Sequence, residues 1–420
     1  MVGTYFPISR LWAASETAGD DLSGYAENVP IELPNGSRRA RLQNVLGHTM
    51  LARVSAEQAE ADWQDAMFTN TSGARLDDLT VRRRQSVGTY MMARMRFRFL
   101  RRRAPAIRFA TITPDEAQRR YGASCADPAA FFAAPSNPPA VEQSRSINGE
   151  GFVQSWLRFA SPTAAMGDTV WAHVFEPPDG YDHTVIICHG IGIEADMWDS
   201  SLHFAPQFAG RRIRVIEPEA PWHGRRRPPG VHGGEPFVAH GPIGAVEEFQ
   251  AHVAEIACLI GWARATGPGR VAVGGISMGA LNSQLAIAHA GAWPEAMRPD
   301  AALLVTTTDR LDEVAWDGSF ATGFHTAEAF AEAGWSREQI HDWMPLTAPI
   351  GEPGIDPDRI IMMQGSHDTI TPFPGGLAFA QRWGIPEKNL FIRRQGHFSV
   401  PLGLTRDASP VARLVEILNT

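Results

Sequence analysis

Eight short apolar segments between residues 152 and 397 constrain the fold more than any other feature of this sequence. They are rich in β-branched residues, end at turns, and alternate with longer helix-like stretches, a pattern typical of strands joined by crossover helices. The segments cover residues 152–162, 168–178, 183–190, 211–221, 270–277, 301–308, 359–368 and 389–397. We expect the first two to form an antiparallel pair and the other six, which are largely apolar, to be covered on both faces.

The fold class predicted from this alternation is α/β, with a mostly parallel sheet of about eight strands between two layers of helices. The stretch 244–265 illustrates the helical pattern, because apolar residues recur there at steps of three and four and produce one apolar face. These residues are Val246, Phe249, Val253, Ile256 and Ile260.

The connection after the sixth predicted strand, residues 309–358, is far longer than the usual connection of about 2–6 residues. We therefore predict a helical insert here, rich in aromatic side chains: Trp316, Phe320, Phe324, Phe330, Trp335 and Trp343. Two interpretations stay open. The aromatics line a substrate pocket under a lid, with Trp316 as a substrate contact, or they form the small core of a helical excursion, which their spacing favours.

The first third of the chain has a different pattern, and we predict a mainly helical N-terminal extension over residues 1–145 and a catalytic domain over residues 146–420. Helices are expected around 39–68 and 80–103, followed by a Pro- and Ala-rich linker over 126–140. Residues 81–103 mix many arginines with bulky apolar side chains. This cluster would suit an anionic membrane surface or a homodimer contact, but a solvated arginine face whose stems pack on the main domain is favoured.

Composition excludes several classes of function. The chain has 420 residues and a formal net charge of −8, so no global basic face favours nucleic acid as a partner. No apolar run reaches the length of a membrane span, and the first residues lack the pattern of a secretory signal. The three cysteines, an odd number without metal-type spacing, favour a reducing compartment, so we expect a cytoplasmic protein.

The motif G-x-S-x-G occurs at 275–279, directly between a predicted strand and a predicted helix. A strand that turns sharply into a helix strains the central residue, and glycines two positions away avoid clashes while the hydroxyl is held out over the sheet edge. The start of the helix also directs the Met278 N–H at any oxyanion formed there. In this context we predict that Ser277 is a nucleophile.

A serine hydroxyl is a poor nucleophile at neutral pH and needs a base and an orienting acid. His397 follows the last predicted strand and is our candidate base, while Asp368 follows the strand before it and is our candidate acid. The order Ser, Asp, His agrees with that expected on this architecture. Asp309 stays open as a competing acid and His367 as a competing base.

A second oxyanion donor is expected from the loop after an earlier strand. The sequence "HGIG" at 189–192 supplies it, because the glycines let the Ile191 N–H turn inward. Together "HGIG", "GGISMG", "GSHDTITP" and "GH" resemble an α/β-hydrolase fold serine hydrolase from residue 151 to the C-terminus. The resemblance implies Ser277, Asp368 and His397 as catalytic triad, with Ile191 and Met278 as oxyanion hole.

One loop departs from the commonest members of that family. The sequence "PWHGRRRP" at 221–228 is similar to a P-x-H-G-x-R motif of dienelactone-hydrolase and prolyl-oligopeptidase-like hydrolases with N-terminal extensions. Arg225 would either receive a substrate carboxylate or phosphate, or anchor the loop to an internal carboxylate. We take His189, Gly190, His223 and Arg225 as candidate substrate contacts at this edge of the sheet.

The function expected is hydrolysis of a carboxylic ester of a small or medium-sized molecule through an acyl-enzyme on Ser277. Lipid acyl-ester or amide hydrolysis by the same triad stays open, as does a catalytically silent binding scaffold. No nucleotide-binding or metalloprotease motif is found, so neither a cofactor nor a catalytic metal is implied.

Overall fold

The computed structural model describes residues 3–29, 31–69, 73–149, 151–194 and 204–420. Within these residues, ten strands form one mixed sheet in the order β1-β3-β4-β6-β5-β7-β8-β9-β10, with β2 also paired to β3. The strands are β1 Glu142–Gln143, β2 Ile147–Asn148, β3 Val153–Ala160, β4 Thr169–Glu176, β5 His183–Cys188, β6 Ile213–Pro218, β7 Val271–Ile276, β8 Ala301–Val305, β9 Ile360–Gly365 and β10 Leu390–Arg393. The pairs from β6 through β10 are parallel, and those involving β1 to β4 are antiparallel.

Helices cover both faces of the sheet and make up the N-terminal region. They are α1 Tyr5–Ala18, α2 Leu22–Asn28, α3 Ser37–Phe68, α4 Gly73–Ala93, α5 Pro114–Ala126, α6 Pro128–Phe131, α7 Glu235–Ala239, α8 Ile243–Thr266, α9 Met278–Ala290, α10 Leu311–Asp317, α11 Ser319–Phe324, α12 Thr326–Glu332, α13 Arg337–His341, α14 Met344–Thr347, α15 Phe373–Arg382, α16 Ser399–Leu402 and α17 Ser409–Asn419. The predicted α/β class and its eight main strands are confirmed.

The central strands are apolar along their whole length because each face of the sheet carries its own core. In β5, Val185 and Ile187 contribute to one core and Ile186 and Cys188 to the other, as the two-residue period of a strand requires. Helix α8 packs against α9 and α14 and is buried on more than the single face expected from its sequence. Because this helix lies between the sheet and the insert, most of its alanines and Gly244 are buried along with its large apolar residues.

The N-terminal helices have a core of their own, formed mainly by α1 to α4. Two arginines of the basic cluster place their guanidinium groups over buried aromatic rings: Arg83 Cζ lies 4.2 Å from the ring centroid of Trp63, and Arg94 Cζ lies 4.8 Å from that of Trp12. Both arginine side chains are themselves buried, so at these two positions the cluster does not form the solvated face favoured by the sequence. Membrane and dimer contacts of the cluster, and the division of the chain at residue 145, stay predictions.

The segment expected to be a linker is instead packed into the catalytic core. Residues 126–140 contain helix α6 and the fully buried Phe132, whose ring stacks on His289 with centroids 4.7 Å apart. The Trp293 indole N–H donates to the Phe132 carbonyl at 2.9 Å. Proline and alanine content alone indicates a loose connection, but one large apolar side chain is enough to fix it.

The insert after β8 forms the short helices α10 to α14. Each of the two interpretations applies to some of its aromatic residues. Trp335 and Trp343 are buried in the main core, whereas Phe320, Phe324 and Phe330 line a cavity beside the sheet edge. No helix among the described residues is both long enough and apolar enough to cross a lipid bilayer.

The packing of Phe132 predicts a stability difference between two adjacent phenylalanines. Phe132→Ala should lower the free energy of unfolding by about 3–5 kcal/mol, because it leaves a cavity in the core. Phe131→Ala, at a partly buried position, should cost clearly less. Urea denaturation of the two variants checks this, and equal small losses would show that the segment is a linker after all.

Candidate active site

Ser277 lies at the sharp turn between β7 and α9, with backbone angles φ 54° and ψ −120°. This left-handed conformation is rare for a residue with a side chain and persists only where the surroundings impose it. Here the conformation of Ser277 is imposed by close backbone contacts at the two flanking glycines. A Cβ on Gly275 would lie 2.4 Å from the Gly279 carbonyl carbon, and one on Gly279 would lie 2.2 Å from the Cys188 oxygen. The glycines are therefore required by the close approach of β5, β7 and α9.

His397 and Asp368 form a hydrogen-bonded pair at the same edge of the sheet. The His397 Nδ1 lies 2.7 Å from Asp368 Oδ2, and both side chains are buried. The backbone N–H groups of Ile370 and Thr371 donate to Asp368 Oδ1 at 2.9 and 3.0 Å. Since an ionised carboxylate only accepts hydrogen bonds, Nδ1 carries the proton and Nε2 is left as the basic nitrogen.

Thr371 is a further member of the cluster that sequence reasoning missed. Its hydroxyl lies 2.9 Å from Asp368 Oδ2, 3.1 Å from the Thr306 carbonyl oxygen and 3.2 Å from His397 Nδ1. The neighbouring carbonyl, that of Val305, accepts the Ser277 backbone N–H at 3.0 Å. Thr371 thus joins the acid loop to the strand end that holds the serine. A threonine three residues after an aspartate is a recognisable signal for such a local bond.

The competing acid and base lie outside this cluster. Asp309 is paired with Arg382, whose Nη2 lies 2.8 Å from its Oδ2. His367 is exposed, and its backbone N–H donates to the Gln395 carbonyl. The structure therefore brings Asp368, and not Asp309, to His397.

The "HGIG" loop lies directly against the serine. A Cβ on Gly190 would lie 3.5 Å from the Ser277 Cβ, and Ile191, Ser277 and Met278 line one cavity. Met278 is the first residue of α9, so its N–H lies among the helical donors that have no partner within the helix. Among the described residues, Ser277 and His397 are not hydrogen-bonded to each other. In ligand-free proteins of this kind, the hydrogen bond between a serine and its base is often long or poorly aligned, and it shortens when substrate binds.

A family model described as "Alpha/beta hydrolase family" matches residues 185–414, more than half of the chain. The chain belongs to the alpha/beta hydrolase family. This confirms the resemblance drawn from the four motifs, all of which lie inside the matched region.

Solved structures with a similar fold include two acetyl xylan esterases and an S-formylglutathione hydrolase. The acetyl xylan esterase of Paenibacillus sp. R4 has a TM-score of 0.49 and 13% identity over 74% of this chain and 97% of its own. Acetyl Xylan Esterase 1 of Thermoanaerobacterium sp. JW/SL YS485 has a TM-score of 0.44 and 14% identity over 71% of this chain and 96% of its own. The S-formylglutathione hydrolase of Agrobacterium tumefaciens has a TM-score of 0.41 and 14% identity over 65% of this chain and 98% of its own. No curated protein sequence matches the chain.

In this α/β-hydrolase, the two histidines expected to contact substrate form hydrogen bonds with the backbone in and around the "HGIG" loop. The Ala220 N–H donates to His189 Nε2 at 3.1 Å, and the Gly192 N–H donates to His223 Nε2 at 3.3 Å. Each Nδ1 in turn bonds a carbonyl, that of Gly190 or of Pro221, at 2.8 Å. Burial lowers the pKa of His189 to about 4 and that of His223 well below its usual value, so both rings are neutral.

Arg225 is engaged by carboxylates of the chain itself. Its Nε lies 2.8 Å from Glu60 of α3, and its Nη1 pairs with Glu219. The next residue, Arg226, is fully buried and pairs with Glu255 and Asp168 at 2.7 and 2.8 Å. The arginines thus anchor this loop, the second of the two interpretations of Arg225.

The remaining predicted contact, Trp316, does not line the cavity beside Ser277 either, and neither do His189, Gly190, His223 or Arg225. Trp316 packs beside Phe330 with ring centroids 6.4 Å apart. The cavity is lined instead by residues close to Trp316 in the insert, such as Ala315 and Phe320. The helical pattern of the sequence could not show which of these neighbouring residues faces the cavity.

The pairing of Asp368 with His397 predicts opposite results for two matched variants. Asp368→Asn should lower kcat for an ester by about 10⁴-fold, because the amide favours the wrong histidine tautomer. Asp309→Asn should leave kcat within about twofold, since that carboxylate only pairs with Arg382. Steady-state kinetics with the purified variants measures both values of kcat. A large loss of kcat for Asp309→Asn with none for Asp368→Asn would show that Asp309, and not Asp368, is the acid.

Proposed function

We propose that this α/β-hydrolase is a serine esterase that cleaves a carboxylic ester of a small or medium-sized molecule through an acyl-enzyme on Ser277. The observation that carries the proposal is the buried His397–Asp368 pair at the sheet edge where the strained Ser277 turn also lies. The two features arise from separate loops, after β9 and β10 on one side and after β7 on the other. Ser277 and Thr371, whose hydroxyl bonds Asp368, line the same cavity, an arrangement typical of nucleophilic catalysis.

In the first half-reaction, His397 Nε2 takes the proton of the Ser277 hydroxyl while the serine oxygen attacks the ester carbonyl. Asp368 holds the ring in the required tautomer and stabilises the imidazolium that forms. The negative charge on the former carbonyl oxygen is met by the backbone N–H groups of Ile191 and Met278. When the intermediate collapses, His397 returns the proton to the departing alcohol.

The second half-reaction uses the same groups with water as nucleophile. His397 removes a proton from water, the hydroxide attacks the acyl-enzyme, and Ser277 leaves with the proton returned by His397. All the chemistry is carried by side chains and backbone N–H groups of the chain itself. Esters are the simplest acyl donors for such a site, since an alkoxide leaves more readily than an amine.

A silent binding scaffold is less well supported, because the turn at Ser277 holds an energetically unfavourable conformation that binding alone does not need. Positive-φ conformations of this kind cost about 1–3 kcal/mol and cluster at functional sites. The polar contacts around Asp368 likewise hold its carboxyl in a fixed orientation toward the His397 ring.

Ser277→Ala is expected to lower kcat for a nitrophenyl ester by about 10⁶-fold, the loss typical for removing a serine nucleophile. It should also abolish covalent labelling by a fluorophosphonate probe, detected by mass spectrometry. The matched control is Ser283→Ala on the same helix, which removes a buried hydroxyl that bonds the Gly279 carbonyl and the Cys188 thiol. Undiminished labelling of the Ser277→Ala protein would overturn the assignment of the nucleophile.

A further inference from the structure

The cavity beside Ser277 is lined almost wholly by apolar side chains. It encloses about 900 Å³ of empty space, part of it open to solvent. Its walls come from α8, α9 and the insert, including Ala245, Leu281, Val314, Phe324 and Phe330. The polar side chains among its lining residues are those of Ser277, Asp312 and three threonines. Such a site gains binding energy from apolar area removed from water.

The charges around this cavity are unfavourable for an anionic ligand. No lysine, arginine or histidine is among its lining residues in the described part of the chain, whereas the carboxylate of Asp312 is. Burial opposes ionisation of that side chain, but hydrogen bonds from Arg310 and His341 outweigh it and hold its pKa at about 2. Arg310 also pairs with Glu313 at 2.9 Å, so it does not leave a net positive charge here.

Arg225, for which the sequence left open a substrate carboxylate or an internal carboxylate as partner, pairs with Glu60 and Glu219 and does not line the cavity. Resting on the serine esterase function proposed above, we propose that the cavity receives an uncharged, apolar portion of the ester, and that esters carrying a carboxylate on that portion are rejected. An ionised group buried there would lose its hydration without gaining a cation.

Two ester series measure this preference, one with a lengthening acid and one with a lengthening alcohol. The first is 4-nitrophenyl acetate to octanoate, and the second is ethyl to octyl acetate followed in a pH-stat, both at pH 8. In the series whose variable part enters the cavity, kcat/KM should rise about fourfold per methylene until the cavity is filled. The carboxylated analogue of its six-carbon member, the hexanedioate monoester or the 6-acetoxyhexanoate, should be turned over at least about a hundredfold less efficiently.

Two matched variants locate the effect. Ala321→Leu narrows the cavity and should shorten the preferred chain by one or more carbons, whereas Ala331→Leu, at an exposed position outside the lining, should not. A flat or falling trend in both series, or equal turnover of the carboxylated ester, overturns this proposal while the esterase function stands. Absence of any turnover together with absence of Ser277 labelling would overturn the function itself.

An independent observation concerns the N-terminal helix α1, which contacts the "HGIG" loop. The Tyr5 hydroxyl donates to the Gly192 carbonyl at 3.1 Å and accepts from Arg94 Nη1 at 3.0 Å. The neighbouring Phe6 ring lies 3.4 Å from where a Cβ on Gly192 would be. His223 accepts the Gly192 N–H, so both polar groups of this glycine are held.

Gly192 follows Ile191, whose N–H we assign to the oxyanion hole, and Gly190 on its other side lies against Ser277. The geometry points to Tyr5 as a positioning residue that fixes the orientation of this peptide from the N-terminal extension. Preorganised donors stabilise the oxyanion without reorganising during the reaction, so a loosened loop should slow acyl transfer more than it weakens substrate binding.

Tyr5→Phe tests this role, because it keeps the ring and removes only the hydroxyl. We expect kcat to fall about tenfold with KM within twofold of wild type, a smaller loss than the 10²–10³-fold typical for deleting an oxyanion donor. The matched control is Tyr25→Phe in the same helical region, whose hydroxyl donates to the Leu11 carbonyl away from the loop.

Thermal denaturation of both variants separates positioning from stability. A fall in kcat for Tyr5→Phe but not for Tyr25→Phe, at similar melting temperatures, supports the positioning role. An unchanged kcat, or equal losses of kcat in the two variants, overturns it. If Ser277→Ala itself left turnover intact, the esterase function would fail instead.

Discussion

The close approach of β5 to the turn between β7 and α9 is the constraint on which the rest of the site depends. The carbonyl of Cys188 occupies space that any Cβ on Gly279 would need. This contact fixes the left-handed turn at Ser277 and, at the same time, holds the residues after β5 beside the serine. The positions of Ser277 and of the "HGIG" loop are therefore set by one packing arrangement, which leaves no room for larger residues at either flanking glycine.

A buried polar cluster continues from this turn into the protein. Asn282, one turn along α9, donates to Glu248 of α8 at 3.0 Å. Burial raises the pKa of Glu248 to about 8, so the carboxyl is largely protonated at neutral pH and can lie in the core without a cation. Further along α8, Glu255 pairs with the buried Arg226. Helix α8 thus connects the start of α9 with the arginine-rich loop after β6.

Local sequence pattern was sufficient for the strands and for the residues proposed as triad. The strands are buried on both faces and so read as continuous apolar runs, and Asp368 and His397 were found because they follow strand ends. Contacts between distant segments were not predictable in this way. The role of Arg225 stayed open between substrate and an internal carboxylate, because Glu60, which binds it, lies 165 residues earlier. Phe132 was placed in a linker although Trp293 holds it in the core. Nothing local identifies such partners.

Helix α1 touches two parts of the site at once. Tyr5 bonds the loop beside the serine, and the Phe6 ring packs edge-on against Phe320 and Phe324 of the cavity wall, with centroids 5.7 and 5.0 Å away. The first turn of α1 is therefore part of the surroundings of Ser277, although it lies at the opposite end of the chain from Asp368 and His397. A substitution in that turn would reach both the loop and the cavity wall through direct contact.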